Sequence, residues 1–369
     1  MTDLHVLKFG GSSFPDAEGF RRVAQHLAER VRGGQRLVVV VSGMPGTTEE
    51  LRELVTDVAP DAGAPVAGSA ITLADSQGAA LLRAAATDAG LRTGALFGGD
   101  IGLRQTTAAV DSIRVDTRGL ERTLRNHDLV VVPGGQGAGA GEDPRYLGKN
   151  TSDLSAVLLA AELQLDECEI YSDVEGIFSA DPRLVDDARL LEQVSWERAL
   201  LCAQHGAKVL HPQAVRAAQH GGTTLVCRLN RDDFRVGSRI GPCGSPPLVV
   251  MDRRSTVIEL PDAYDVHTLK SHLASQGLNL VVPQISARPV VVVTGGYFDV
   301  SRFLKERRLP GRITGERLVT VVGDDVRHLL ARDEQQALEW GRGAHADLTR
   351  PAARSGPADS PPSDAPTIS

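Results

Sequence analysis

A chain of 369 residues is long enough for two domains and a large core, and 41% hydrophobic with 24% charged residues is an ordinary folded composition. A net charge of −7 argues against nucleic acid or an anionic membrane as the main partner, while leaving room for a local basic pocket. Cys168, Cys202, Cys227 and Cys243 show no CxxC spacing, no basic-then-apolar leader stands at the start, and no apolar run is long enough for a membrane. The expectation is a reduced, cytoplasmic protein without a zinc site.

The first element is a short apolar strand, Leu4-His5-Val6-Leu7-Lys8-Phe9, running into Gly10-Gly11-Ser12-Ser13. Glycines there let a backbone approach a ligand closely, and Lys8 is placed to neutralise phosphate oxygens; a plain strand and turn is the alternative. A helix follows, with Phe20, Val23, Leu27 and Val31 on one face and Gly33-Gly34 as its stop. The continuous run 36–41, ending in Ser42-Gly43, is apolar on both faces, as strands of a helix-covered parallel sheet are. Met44-Pro45-Gly46-Thr47-Thr48-Glu49 reads as a polar loop. The same grammar returns at 129–137, 168–173 and 224–227. Apolar strands alternating with helices describe an α/β domain whose ligands sit beyond the carboxyl ends of the strands, so several candidate loops converge on one edge.

Between these strands lies YLGKNTSDLSAVLLAAEL, residues 146–163. A polar turn leads to Ser152 and Asp153, read as capping residues, and then to an apolar helix. The free N–H groups and dipole of such a helix start form an anion site, although an ordinary capped helix has the same pattern. Two motifs fail on inspection. Gly135-Gln136-Gly137-Ala138-Gly139-Ala140 lacks the long helix that a dinucleotide fold requires, and Gly148-Lys149 lacks both the glycine at Asp143 and the hydroxyl at Asn150 of a P-loop.

Further on, 174–183 is a turn-rich loop holding Phe178, Asp181 and Arg183. Residues 195–204 form a capped helix, and Gly206 to His211 lead into Pro212 at a first helical position. Lys208 is either a second phosphate cation or a solvated lysine, and His205 and His211 are read as structural. The chain divides into residues 1–230, a Gly/Pro/Arg-rich linker at 231–247, a smaller α+β domain at 248–330, and a Pro/Ala/Ser/Asp-rich tail at 343–369 expected to be disordered.

Over roughly residues 4–230, six motifs in order resemble the amino acid kinase family, in its aspartate kinase branch: Lys8 to Ser13, Ser42-Gly43-Met44 with Thr47-Thr48, 134–137, Ser152-Asp153, 171–183 and 206–212. The resemblance implies a three-layer α/β sandwich with a parallel sheet. It also implies transfer of the γ-phosphoryl group of ATP to a carboxylate, with Mg²⁺ arriving on the nucleotide rather than in a protein cage. On this resemblance Lys8 and Lys208 hold the transferring oxygens and Asp153 orients them. Gly10, Gly11, Ser12, Ser172, Asp173, Phe178, Asp181 and Arg183 hold the nucleotide, and Ser42, Thr48, Ser76, Lys149 and Ser152 meet the acceptor. The second domain resembles the ACT module of that family, which implies a homodimer.

The acceptor half departs from the family pattern. Lys149-Asn150-Thr151 stands where an Arg-Gly-Gly run is usual, and lysine has no bidentate fork. Asp75-Ser76-Gln77 aligns with a Gly-Glu-Gln whose Glu meets an ammonium, leaving Asp75 one position away as a substitute. Gly135 replaces a Phe. Two lost charge-assisted contacts, at roughly 1.5–3 kcal/mol each, imply about 10² to 10⁴ less efficiency with aspartate. Three functions stand open: a kinase for aspartate, a kinase of specialised metabolism for another small carboxylate, and a non-catalytic nucleotide-binding subunit.

Overall fold

The computed structural model describes residues 3–105, 112–139, 143–148, 150–261, 266–274, 278–283, 288–296 and 298–350. Its centre is an eight-stranded sheet in the order β10-β12-β11-β9-β1-β2-β6-β3. These strands are β1 (Asp3–Phe9), β2 (Gln35–Val41), β3 (Thr93–Ala95), β6 (Leu129–Pro133), β9 (Glu167–Ser172), β10 (Gln193–Ser195), β11 (Thr224–Leu229) and β12 (Val236–Gly241). The six from β11 to β3 run parallel, and β12 lies antiparallel to β11.

Strand alternation divides the core in two. Val6, Val38, Val40, Val130, Val132, Cys168 and Ile170 face α4 (Arg118–Leu124), α5 (Ser152–Glu162), α6 (Trp196–Gln204) and α7 (Pro212–Gly221). Leu7, Phe9, Leu37, Val39, Val41 and Val131 face α1 (Ala17–Arg32) and α3 (Ala64–Asp88). The expected three-layer sandwich is present. α1 is the amphipathic helix expected from its spacing: Phe20, Val23 and Leu27 are buried, Asp16 caps its start and Gly33 ends it. A small sheet, β5-β4-β7-β8, flanks the sandwich, formed by β4 (Leu103–Gln105), β5 (Ile113–Val115), β7 (Gln136–Ala138) and β8 (Pro144–Tyr146).

The C-terminal module holds two sheets. One, in the order β15-β16-β14-β17, is built from β14 (Thr256–Glu259), α8 (Val266–Ala274), β15 (Leu280–Val281), β16 (Val290–Val293), α9 (Val300–Arg307) and β17 (Arg312–Ile313). That is a complete βαββαβ unit. The other sheet, β13-β18-β19, comprises β13 (Leu248–Asp252), β18 (Arg317–Val322) and β19 (Val326–Ala331), covered by α10 (Glu334–Thr349).

Three sequence expectations are corrected. Segment 231–247 is not simply a linker, because β12 completes the large sheet. Its Gly237 serves close packing, since a Cβ there would collide with the carbonyl of Glu175. Residues 343–349 belong to α10, capped by Asp333 through Gln336 N–H at 2.8 Å, whereas 351–369 lie outside the described residues. Thr47 to Glu49 form the first turn of α2 (Thr47–Val58) rather than a loop.

Candidate active site

Lys8 shares the parity of Val6, so its side chain projects from the carboxyl end of β1 toward α5. Its Nζ lies 2.7 Å from Asp153 Oδ1, with both residues 8% exposed. Beside them Ser42 Oγ, at the end of β2, lies 2.7 Å from Ser152 Oγ. Ser152 and Asp153 are therefore the first helical residues of α5 and not its cap. The cap position is Thr151, whose hydroxyl donates to Gly148 O at 2.7 Å, and Asn150 takes a left-handed φ of 61° to make the turn. This leaves the Asp153 carboxylate in the first turn, where the helix dipole favours negative charge, and free to face Lys8. The pair is close but not aligned as a hydrogen bond, so Asp153 Oδ1 has no hydrogen-bond partner among the described residues.

Glycines bring the chains this close. A Cβ on Gly134, at the end of β6, would run into Ser152, and one on Gly11 would lie 2.6 Å from Gly43 O. A Cβ on Gly10 would fill the space 3.3 Å from Lys8 Nζ. Ser12 and Ser13 are held from below by the Asn230 amide, at 2.8 and 3.2 Å. The result is a cradle of backbone around a lysine and a buried carboxylate, a form suited to anionic oxygens.

On the other flank α3 presents Asp75, 9% exposed, whose Oδ1 accepts from Gly43 N–H at 2.6 Å. Its Oδ2 lies 3.4 Å from where a Cβ on Gly135 would stand, an ordinary contact distance, and glycine at 135 is favoured by its left-handed φ of 62°. Burial raises the Asp75 pKa to about 7, against the pull of the Gly43 N–H and of Lys8. Tyr146 on β8 is near enough for Asp75 to add to the effect of burial, which together push its phenol up to about 12, and Arg52 of α2 bonds to it. Ser76, by contrast, is committed elsewhere. Its hydroxyl donates to Thr72 O at 3.0 Å and accepts from Gln136 Nε2 at 3.0 Å. Thr48 is half-buried in the first turn of α2, and Lys149 lies outside the described residues. Asp75 was legible through the resemblance, as a substitute carboxylate one position from Ser76; Tyr146 and Asn230 gave no sequence signal.

The remaining candidates have local partners of their own. Ser172 Oγ is used by its own turn, donating to Val174 O at 2.6 Å. Asp181 and Arg183 pair with each other at 2.9 Å on the loop after β9, with Asp173 within electrostatic reach of Arg183. Phe178 is half-buried there, bridged through its backbone to Leu190. Lys208 is exposed on the segment between α6 and α7, near Asp252 of β13. Three residues on, His211 caps α7 through Gln213 N–H. Burial holds its imidazole below the ordinary value, with Asp153 pulling the other way. The cysteines Cys168, Cys202 and Cys227 are buried free thiols, and Cys243 is exposed. Among the described residues no helix is long and apolar enough to cross a membrane.

Comparison with known proteins agrees with this geometry. The model of the amino acid kinase family matches residues 3–228. An aspartokinase of Mycolicibacterium smegmatis is 38% identical over 233 residues, which cover 62% of this chain and 55% of that protein. An aspartokinase of Bacillus sp. (strain MGA3) is 35% identical over 229 residues, covering 61% and 55%. The chain thus spans just over half the length of these curated relatives. Among solved structures, aspartate kinase from Synechocystis superposes with a TM-score of 0.59 at 27% identity, covering 87% of this chain and 60% of that one. E. coli aspartokinase III in complex with aspartate and ADP gives 0.67 at 19% identity, covering 87% and 88%, a likeness of fold alone. With its matched model, its three-layer sandwich and its glycine-lined lysine and carboxylate, the chain belongs to the amino acid kinase family.

Proposed function

We propose that the chain is an ATP-dependent kinase that transfers the γ-phosphoryl group to the carboxylate of aspartate or a related amino acid. The observation that carries this reading is the buried Lys8–Asp153 pair at the mouth of α5, set within the Gly10–Gly11 backbone. The buried Asp153 Oδ1 without a hydrogen-bond partner and the space beside Gly10 both fit a nucleotide's phosphates with a hydrated cation. Mg²⁺, when bound on ATP, neutralises charge on the phosphate oxygens. In the reaction an acceptor carboxylate oxygen forms a bond to the γ-phosphorus as the bond to the β,γ-bridging oxygen breaks, releasing ADP. Lys8 stabilises the moving negative charge and Asp153 holds Lys8 in place, which is positioning and electrostatics rather than covalent help. Phe178, Asp181, Arg183 and Lys208 are assigned to the nucleotide.

The acceptor site is rebuilt around Asp75, a buried carboxyl one position from Ser76 whose charged form an acceptor's ammonium group would favour. It suits an acceptor carrying an ammonium group. Self-association through the C-terminal module is part of the proposal, and sedimentation equilibrium is expected to give a dimer.

ATP consumption across a panel of amino acids, with acyl phosphates trapped as hydroxamates, tests the reading. Turnover is expected with an amino-acid carboxylate, and Lys8→Ala is expected to lower it by about 10²-fold or more. ATP turnover without hydroxamate from any acid, or unchanged turnover in folded Lys8→Ala, would sink it.

A further inference from the structure

The loop assigned to the nucleotide is held from outside the kinase sandwich. Residues 177–191 close on themselves: Ser179 N–H donates to Arg189 O at 2.8 Å, Leu191 N–H to Ile177 O at 2.9 Å, and Arg189 N–H to Ser179 Oγ at 2.9 Å. Asp181 and Arg183 stand at its tip. Three groups of the C-terminal module grip this hairpin. Val249 N–H of β13 donates to Ser179 O at 2.8 Å. Arg342 Nε of α10 donates to Leu184 O at 2.8 Å. His345, one turn further along α10 and 1% exposed, places Nε2 2.8 Å from Ser179 Oγ.

The sequence of α10 explains why His345 reaches so far. Ala337, Gly341 and His345 recur at four-residue spacing on its buried face. A side chain at 341 would collide with Met251, so glycine seats the helix tightly on β13. Ser179 Oγ accepts from Arg189 N–H and shares one further hydrogen with His345 Nε2, while His345 Nδ1 lies 3.4 Å from Asp187 Oδ1 on the same loop and has no hydrogen-bond partner among the described residues. Ser179, Leu184 and Asp187 are thus met by one helix.

The same module meets the second nucleotide segment. Thr294 Oγ1 donates to Gln204 O at 2.7 Å, His328 Nε2 lies 3.1 Å from His205 Nε2, and Asp252 packs against Gly206, two residues before Lys208.

We propose that His345 is a positioning residue for the nucleotide, acting through Ser179 to set the loop that presents Phe178, Asp181 and Arg183. This rests on the nucleotide assignment made above. His345 lies beneath the loop, so its effect falls on nucleotide affinity, while the acceptor site around Asp75, built on α3, is untouched.

Calorimetric titration of the full chain with Mg·ADP, together with KM values for ATP and acceptor, tests this. Wild type is expected to bind. His345→Ala is expected to bind about tenfold more weakly, as loss of one buried hydrogen bond implies, with acceptor KM unchanged. His345→Gln offers Ser179 an amide that can donate or accept, and is expected to restore most of the affinity. Arg342→Ala, a surface change that leaves the core intact, is expected to weaken Mg·ADP about threefold through the loss of one exposed contact. Wild-type affinity in His345→Ala and Arg342→Ala overturns the proposal alone. An equal loss for both substrates also overturns it, because that is the mark of general loosening. A wild-type chain that takes up no Mg·ADP overturns the nucleotide assignment and this proposal with it.

Discussion

Replacing Asp75 by asparagine probes the acceptor half directly, because asparagine keeps an oxygen for the Gly43 N–H but cannot ionise. Burial raises the folded-state pKa of Asp75 from 3.8 to about 7. Between those values the folded chain holds a proton that the unfolded chain has released, so stability falls as pH rises from about 4 to 7 and is level above. Three pH units at about 1.4 kcal/mol each make the ionised carboxylate cost roughly 4 kcal/mol above pH 7. Asp75→Asn removes that cost, so its advantage over wild type is expected to grow by roughly 2–3 kcal/mol between pH 5 and pH 8. Urea denaturation of both proteins at the two pH values measures it. The same substitution removes the ammonium partner, so acceptor KM is expected to rise about tenfold or more while ATP KM stays. A wild-type-to-variant gap that is equal at pH 5 and pH 8 would refute the buried-carboxylate argument. An unchanged acceptor KM would refute its role in binding.

Two further outcomes concern the scaffold. Glu169 faces α1, receives Arg30 through both oxygens at 2.6 and 2.9 Å, and meets Arg228 Nε at 2.6 Å and Tyr171 Oη at 2.8 Å. Burial pushes its pKa up, but the two arginines and the tyrosine outweigh this and bring it to about 2. Its contribution is therefore present above pH 4.5 and lost as pH falls toward 2. Glu169→Gln leaves two guanidiniums adjacent and is expected to cost about 3–5 kcal/mol in urea denaturation at pH 7, with turnover of the folded fraction kept because Lys8 points to the opposite face. Gly206→Ala is expected to destabilise by about 1 kcal/mol or more, measured by thermal unfolding. The backbone there has φ 102°, and the new Cβ would stand 2.5 Å from Asp252 Cγ.

Much of the site was legible because short-range rules carry it. The alternation of Val6, Leu7 and Lys8 assigns Lys8 to one face of the sheet before any partner is known. Ser42, Gly134 and Ser172 stand at strand ends, where a parallel sheet gathers its loops. Capping rules then misplaced Ser152 and Asp153 by one position, since Thr151 can hold the turn through Gly148 and release both side chains toward β1 and β2. Composition likewise misread 231–247. Glycine marks a loop in most settings, but Gly237 is there so that β12 can approach Glu175.

By itself the sequence determined the layered α/β plan, through apolar runs with helices between them, and the lysine and carboxylate at its mouth. Those properties rest on local periodicity, which neighbouring residues set. Only the tertiary structure decided that Asp75, and not Ser76, turns toward Gly43, because a one-residue step along a helix rotates a side chain by about 100° and the packing of α3 chooses between them. It also decided that His345 closes on Ser179, 166 residues earlier in the chain. No local rule joins residues so far apart; that contact exists because α10 is seated on β13 through a glycine.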